Sequence, residues 1–307
     1  MTLAAPLFTD EAAEARRRLV RGSALRTLGR RRLRGRIATA LCALALVLAL
    51  APLAALLGYT AYRGLGSLSV AFFVHTATPP GIPGGGIADA IVGTLVIVAL
   101  AVLAAVPLGL AVALLLVDRP GRVAGVIRFA ADVLTGIPSI ALGIFAYAVV
   151  VRPMGGFSGL AGSVALAVLM VPIVIRADEE AMAAVPTDLR EAGLALGAPR
   201  SRVLRSVVLR GAVPGLVTGN LLALARAVGE TAPVLFVIGV GAFGSRVGWN
   251  PLHPLAAMPV DIYENGTAAF PAQQAGAWGT ALVLLLFVLL LSVTARIVAA
   301  RLNRKAR

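Results

Sequence analysis

Six stretches of this 307-residue chain are apolar for long enough to cross a bilayer, and that limits its possible folds more than any motif does. They lie at residues 37–62, 90–117, 129–151, 160–175, 212–240 and 277–295, the fourth being short. Hydrocarbon offers no water to satisfy a stray N–H or C=O, so each stretch must be a helix that closes its own hydrogen bonds. A cleaved leader has an apolar region of about 7–15 residues. The first run here has 26, and is expected to remain as a span. The expected fold is an all-α polytopic membrane protein with six transmembrane helices. It divides into an arginine-rich tail (1–36), a membrane domain (37–300) with a polar loop at about 176–210, and a short basic tail (301–307).

Charge supplies the orientation. The chain holds 28 basic residues against 14 acidic, a formal net charge of +14, and Lys305 is the only lysine. Ten arginines lie between Arg16 and Arg36 alone. With the N-terminus inside, the inward segments hold 24 of the 28 basic residues and the outward loops only Arg63, Arg152 and Arg246. Such a bias predicts that both termini are cytoplasmic, with the arginines meeting anionic lipid and not nucleic acid. One basic residue, Arg226, falls inside a span. The outer segments 75–89 and 241–276 are rich in glycine and proline, and are expected to be rigid turns or re-entrant pieces. Trp278 is expected to open the last span at the interface.

Several chemistries are excluded. A nucleotide-binding P-loop needs a lysine directly after its glycine loop, and Lys305 follows Leu302-Asn303-Arg304. Any ATP-driven step therefore needs a separate chain. His75 and His253 are far apart with no metal-ligand spacing around them, no G-x-S-x-G turn occurs, and Cys42 is alone in an apolar run.

The polar loop has helical periodicity from Pro186 to Gly197, with Leu189, Leu194 and Leu196 apolar, Thr187 or Asp188 as candidate caps and Gly197 as terminator. A second helical stretch, 200–209, sets Val203, Leu204, Val207 and Val208 against arginines. By itself this describes an amphipathic hairpin on the inner leaflet.

The spacing supports a second reading. Glu191-Ala192-Gly193, three residues, Gly197, nine residues and Val207-Val208-Leu209 resemble the EAA loop of ATP-binding-cassette (ABC) import permeases. Gly193 stands for the second alanine of that motif and Arg210 for its final proline, with Pro214 expected to keep the turn into the fifth span. The segment from Val213 to Phe236 contains A-R-A-x-G-E-T-A-P and resembles phosphate-specific permeases of the PstA type. So, in order, do GGIADAIVGTL (from 84), PLGLAVALLL (107–116), GIPSIALGIFA (136–146) and MPVDIY (258–263). The resemblance covers roughly residues 65–300. It implies a type I ABC importer permease in which Glu191, Ala192, Gly193 and Gly197 form the coupling loop. Its partners would be a sister PstC-like permease, a PstB-like ATPase dimer and an extracytoplasmic phosphate-binding protein. ATP and magnesium would reside on the ATPase, so this chain would bind no cofactor and have no enzymatic site of its own.

Arg226 and Glu230 are four apart, hence on one helical face. A charge near the bilayer centre costs about 3 kcal/mol even on lenient scales, and such residues mark pathways. Arginine presents a planar fork of donors matched to phosphate oxygens. Arg226 is expected to conduct the anion, Glu230 to hold the arginine and limit trapping, and Thr231 to add a hydroxyl. A structural ion pair is the alternative. Gly211, Gly215, Gly219, Ala223 and Ala227 recur every four residues and predict a close-packing face. Pro107 and Pro233 are expected to kink their helices, and Asp132 to be an interfacial or capping residue. Rival functions are a permease of this fold for molybdate, sulfate or an amino acid, and a non-transporting membrane scaffold or sensor.

Overall fold

The computed structural model describes residues 10–79, 81–82, 84–119, 121–239 and 247–305, with backbone only for 10–13, 15–31 and 302–305. Arg246, Val240, Arg307 and the side chains of most tail arginines lie outside the described residues.

The chain forms two compact units, Met1–Tyr59 and Thr60–Arg307. The first is a single helix from Asp10, the start of α1 (Asp10–Gly64). No glycine or proline stands between Gly35 and Pro52, and arginine is a good helix former, so the basic segment and the apolar run share one helix. Residues 32–59 are all exposed.

The second unit continues through a tight turn at Leu65–Ser67 to α2 (Val70–Val74), α3 (Ala88–Asp118) and α4 (Arg122–Gly136). Next come α5 (Ser139–Ala146), a wide turn at Tyr147–Val151, α6 (Arg152–Met154), α7 (Gly159–Ala183) and α8 (Thr187–Ala195). Helix α9 (Arg200–Val203) passes through a π turn at Leu204–Val208 into α10 (Leu209–Val228). The chain ends with α11 (Ala232–Ile238), α12 (Met258–Gly266) and α13 (Pro271–Lys305).

Among the described residues, five helices are long and apolar enough to cross a membrane, or six if the bent pair 122–136 and 139–154 is one span. That pair departs from expectation. Hydropathy predicts one helical span at 129–151, but the chain turns by 99° between α4 and α5. Pro138 lacks an N–H, and the residue before a proline avoids the helical region, which puts Ile137 in an extended conformation. The fourth span is longer than predicted, running to Ala183, because Arg176, Asp178 and Glu179 find partners inside the protein and stay helical.

The fifth differs at both ends. Residues 200–209 are not a separate leaflet helix: Arg200–Val228 is one helical unit of 29 residues, with Pro214 inside it and no turn there. At the far end it stops at Val228, short of the predicted 240. Pro107 is accommodated within continuous α3, and Trp278 lies two turns inside α13. Neither Thr187 nor Asp188 caps α8; Pro186 occupies the cap position.

Close approach organises the core. Helices α3 and α7 run parallel. A side chain at Gly109 would collide with Val174, and one at Gly162 would lie 3.4 Å from Ile97 and 2.9 Å from Ile238. Helix α10 runs antiparallel to α7 through the predicted small-residue face. A Cβ at Gly215 would stand 2.8 Å from that of Ala181, and at Gly219 2.7 Å from that of Ala177. Gly211 meets Val185 in the same register, at 3.3 Å. At the other end of the bundle Thr94 accepts the Met258 N–H (2.8 Å) and donates to the Ala90 carbonyl (2.7 Å), tying α12 to α3. Asp261 ties α12 to α13 by accepting from Thr280 at 2.8 Å, and accepts from Asn265 within α12 at the same distance.

Two outcomes follow from this packing. Gly219→Ala overpacks the α7–α10 contact and lowers stability by about 1–3 kcal/mol. Gly125→Ala, in α4 with nothing within 4 Å, raises it by about 0.4–1 kcal/mol. Thermal unfolding in detergent reads both, and equal shifts for the two variants contradict the packing. The Asp261 carboxyl is pushed up to about 6 by burial and by the charges of Asp89 and Glu264, against the hydrogen bonds from Thr280 and Asn265. The folded state therefore holds this proton more tightly than the unfolded chain, whose value is 3.8. Its stabilising contribution is full below about pH 4, falls as pH rises to about 6 by roughly 2–3 kcal/mol, and is flat beyond. Asp261→Asn should remove that slope from the pH profile of unfolding; an unaltered profile refutes the assignment.

Candidate functional site

Two regions carry the residues singled out from the sequence. They lie toward opposite ends of one helical unit, Arg200–Val228, which is about 40 Å long at 1.5 Å per residue.

At its C-terminal end α10 stops because of two residues. Pro233 has no N–H for the Gly229 carbonyl, and Gly229 weakens the helix where that bond is lost. The Gly229 N–H turns back to the Arg226 carbonyl (3.1 Å) and the Glu230 N–H to that of Ala227 (3.2 Å). Thr231 then leads into α11, its carbonyl accepting the Leu235 N–H at 3.0 Å. Residues 229–231 thus form a break between two helices of different length.

Arg226 projects from the last turn of α10, and its Nε lies 3.6 Å from Glu230 Oε1. The arginine side chain is 59% exposed and the glutamate 20%. An ion pair this open in an apolar helix cannot face lipid without the cost already noted, so it faces water or a protein partner. The last carbonyls of α10 carry partial negative charge, which together with Glu230 moderates the field of the guanidinium. The result is an anion-attracting group with its donors accessible and its charge partly offset. Thr231 is half-buried in the break beside it.

At the other end, α8 carries Glu191, Ala192 and Gly193. Gly197 closes it at φ +77°, as the sequence predicted, with N–H groups of Gly197 and Ala198 returned to Leu194 (2.9 Å) and Gly193 (3.3 Å). Glu191 and Ala192 are exposed, as are Leu189, Leu194 and Leu196. A Cβ at Gly193 would meet Val203 at 3.1 Å, so the glycine that departs from the family's alanine admits a valine across the hairpin. The projecting loop is compact and presents an apolar surface.

Sequence reasoning missed two clusters. Asp132 is not a cap: it lies within α4 and pairs with Arg176 of α7 through both carboxylate oxygens. The network continues from Arg176 to Glu179 (3.6 Å) and from Glu179 to Arg128 Nε (2.6 Å), lacing α4 to α7. The i,i+4 spacing of Arg128 and Asp132 and the i,i+3 spacing of Arg176 and Glu179 were the available signal. The second cluster is the fully buried Asp178, which accepts from Asn220 of α10 at 2.7 Å beside the glycine contact. The direction of each side chain across that contact decides the pairing, and the linear spacing gives no sign of it.

Known proteins place this geometry in context. Residues 105–307 match the family described as binding-protein-dependent transport system inner membrane component. The phosphate transport system permease protein PstA of Yersinia pestis is 40% identical over 273 residues, 88% of this chain and 92% of that protein. PstA 1 of Mycobacterium tuberculosis strain H37Rv is 36% identical over 284 residues, 91% of each chain. Among solved structures, a chain of the MetNI methionine ABC transporter in an inward-facing conformation superposes with a TM-score of 0.58 at 24% identity, over 70% of this chain and 95% of that one. That likeness bears on the fold alone. With a family match across about two thirds of its length and relatives aligned nearly end to end, the chain belongs to the binding-protein-dependent inner membrane permeases and, among them, to the PstA family.

Proposed function

We propose that this chain forms half of the translocation pore of an ATP-driven importer of inorganic phosphate, paired with a PstC-like sister permease. A PstB-like ATPase dimer would dock at the cytoplasmic face on the exposed leucines and Glu191 of α8, and an extracytoplasmic phosphate-binding protein would deliver the anion. Both termini are cytoplasmic in this reading, since the arginine-rich ends then obey the charge bias of inner-membrane proteins. ATP and magnesium belong to the ATPase, and this chain contributes a pore wall and a lever without a cofactor or an enzymatic site.

The observation that carries the reading is the exposed Arg226, paired with the half-buried Glu230 at the break after α10. A dianion or monoanion crossing an apolar barrier needs a charge-assisted contact that forms and releases. The guanidinium fork supplies two donors in one plane. Glu230 keeps the fork oriented between passages and returns to it as the anion leaves. Thr231 offers a hydroxyl at the same level.

Phosphate uptake by the assembled importer tests this. Each lost charge-assisted contact is worth about 1.5–3 kcal/mol, so Arg226→Gln should cut uptake by roughly 10–100-fold while the complex still assembles. Arg226→Lys keeps the charge without the fork and should fall between. Full transport by both variants rules out the assignment, and competition by sulfate or molybdate better than by arsenate would reassign the solute.

A further inference from the structure

Between α7 and α8 the chain turns in three residues, Ala184, Val185 and Pro186. An elbow this short at the end of a 25-residue helix can be a hinge or a rigid bracket, depending on what crosses it. Two side chains cross it. Arg190, on α8, reaches back eight residues, and its Nη2 donates to the Met182 carbonyl at 2.5 Å. Met182 is fully buried, and its carbonyl belongs to the last turn of α7, where a cation is favoured by the helix dipole. Arg190 Nε is itself buried with no hydrogen-bond partner, so the guanidinium is sunk into the elbow and not spread on the surface. On the other side Val185, also buried, wedges against Gly211 at the start of α10. Arg226 lies 15 residues further along that helix, about 22 Å away.

We infer that Arg190 is a positioning residue that braces α8 rigidly to the end of α7, so that displacement of α8 passes through Val185 and Gly211 into α10 and the Arg226 site. The inference rests on reading α8 as the ATPase-docking segment, and adds the part that turns docking into movement. Glu191 and the leucines make the contact, while Arg190, adjacent in sequence but turned inward, carries the load. Without the brace α8 still binds its partner but swivels on Pro186.

The experiment uses the complete importer in liposomes, with Arg190→Met, which keeps the apolar stem and removes the donors, and Arg190→Lys, which keeps a charged donor. The brace predicts that the Met variant retains its ATPase on purification yet moves about 5-fold or more less phosphate per ATP hydrolysed, within the usual range of coupling between sites. The Lys variant should recover most of that ratio. An unchanged ratio in the Met variant, equal damage in both, or loss of the ATPase from the Met variant overturns the brace. Failure of the unmodified chain to retain an ATPase would instead overturn the docking reading. Spin labels at Glu180→Cys and Ala195→Cys, both exposed and outside the docking leucines, in a Cys42→Ser background, supply a second measurement independent of transport. One narrow α7–α8 distance, the same with and without ATP, is expected for Arg190. Arg190→Met should broaden it, and an equally narrow distribution in that variant contradicts the inference.

Discussion

The antiparallel contact of α7 with α10 is the interaction on which the rest of the second unit depends. Gly215 and Gly219 lie on Ala181 and Ala177 with only the alanine methyl groups between the backbones. In a bilayer, apolar burial does not distinguish a neighbouring helix from lipid, so association has to come from close dispersion contact and from polar pairs. This interface uses both, since Asp178 and Asn220 meet in the same seam. One edge of the contact sets the elbow into α8 through Gly211 and Val185, and the same helix carries Arg226 at its other end. A loosened seam would free the loop from the charge pair.

Much of this was legible from residue pattern. That each apolar run is helical, the four-residue spacing of Gly211, Gly215 and Gly219, and the terminating role of Gly197 depend only on local chemistry, and the structure agrees on these while moving several span boundaries. Where the structure departs, either a tertiary contact outweighs local polarity or a proline acts on the backbone in a way that hydropathy does not register. The fourth span looked short because Arg176, Asp178 and Glu179 count as polar, yet their partners on α4 and α10 let the helix continue. The third reads as one span because hydropathy does not register that Pro138 redirects the chain. Residues 200–209 looked like a surface helix because arginines flank the valines. They instead open the fifth span, where Val203 is buried beside Gly193 of α8 and Val208 is buried in one cluster with Met182 and Val185.

The candidate sites divide in the same way. Arg226 and Glu230 were conspicuous because a charge in an apolar run has few explanations. The break at 229–231 was read as a kink, although Gly229 and Pro233 together remove enough of the helix to end it. Arg190 gave no signal: on a polar loop, one arginine among several carries no mark of facing inward. Only the path of the chain back over Met182 reveals its contact.

The central claim is that the charge at position 226 meets the transported anion in an aqueous path. Chemical replacement of that charge tests it most directly. In a Cys42→Ser background, Arg226→Cys should abolish phosphate uptake, and a membrane-impermeant cationic thiol reagent should restore part of it, while an anionic reagent of similar size should not. Failure of the introduced thiol to react, or the same response to reagents of either sign, would show that the side chain faces lipid or a sealed interface and would contradict the account.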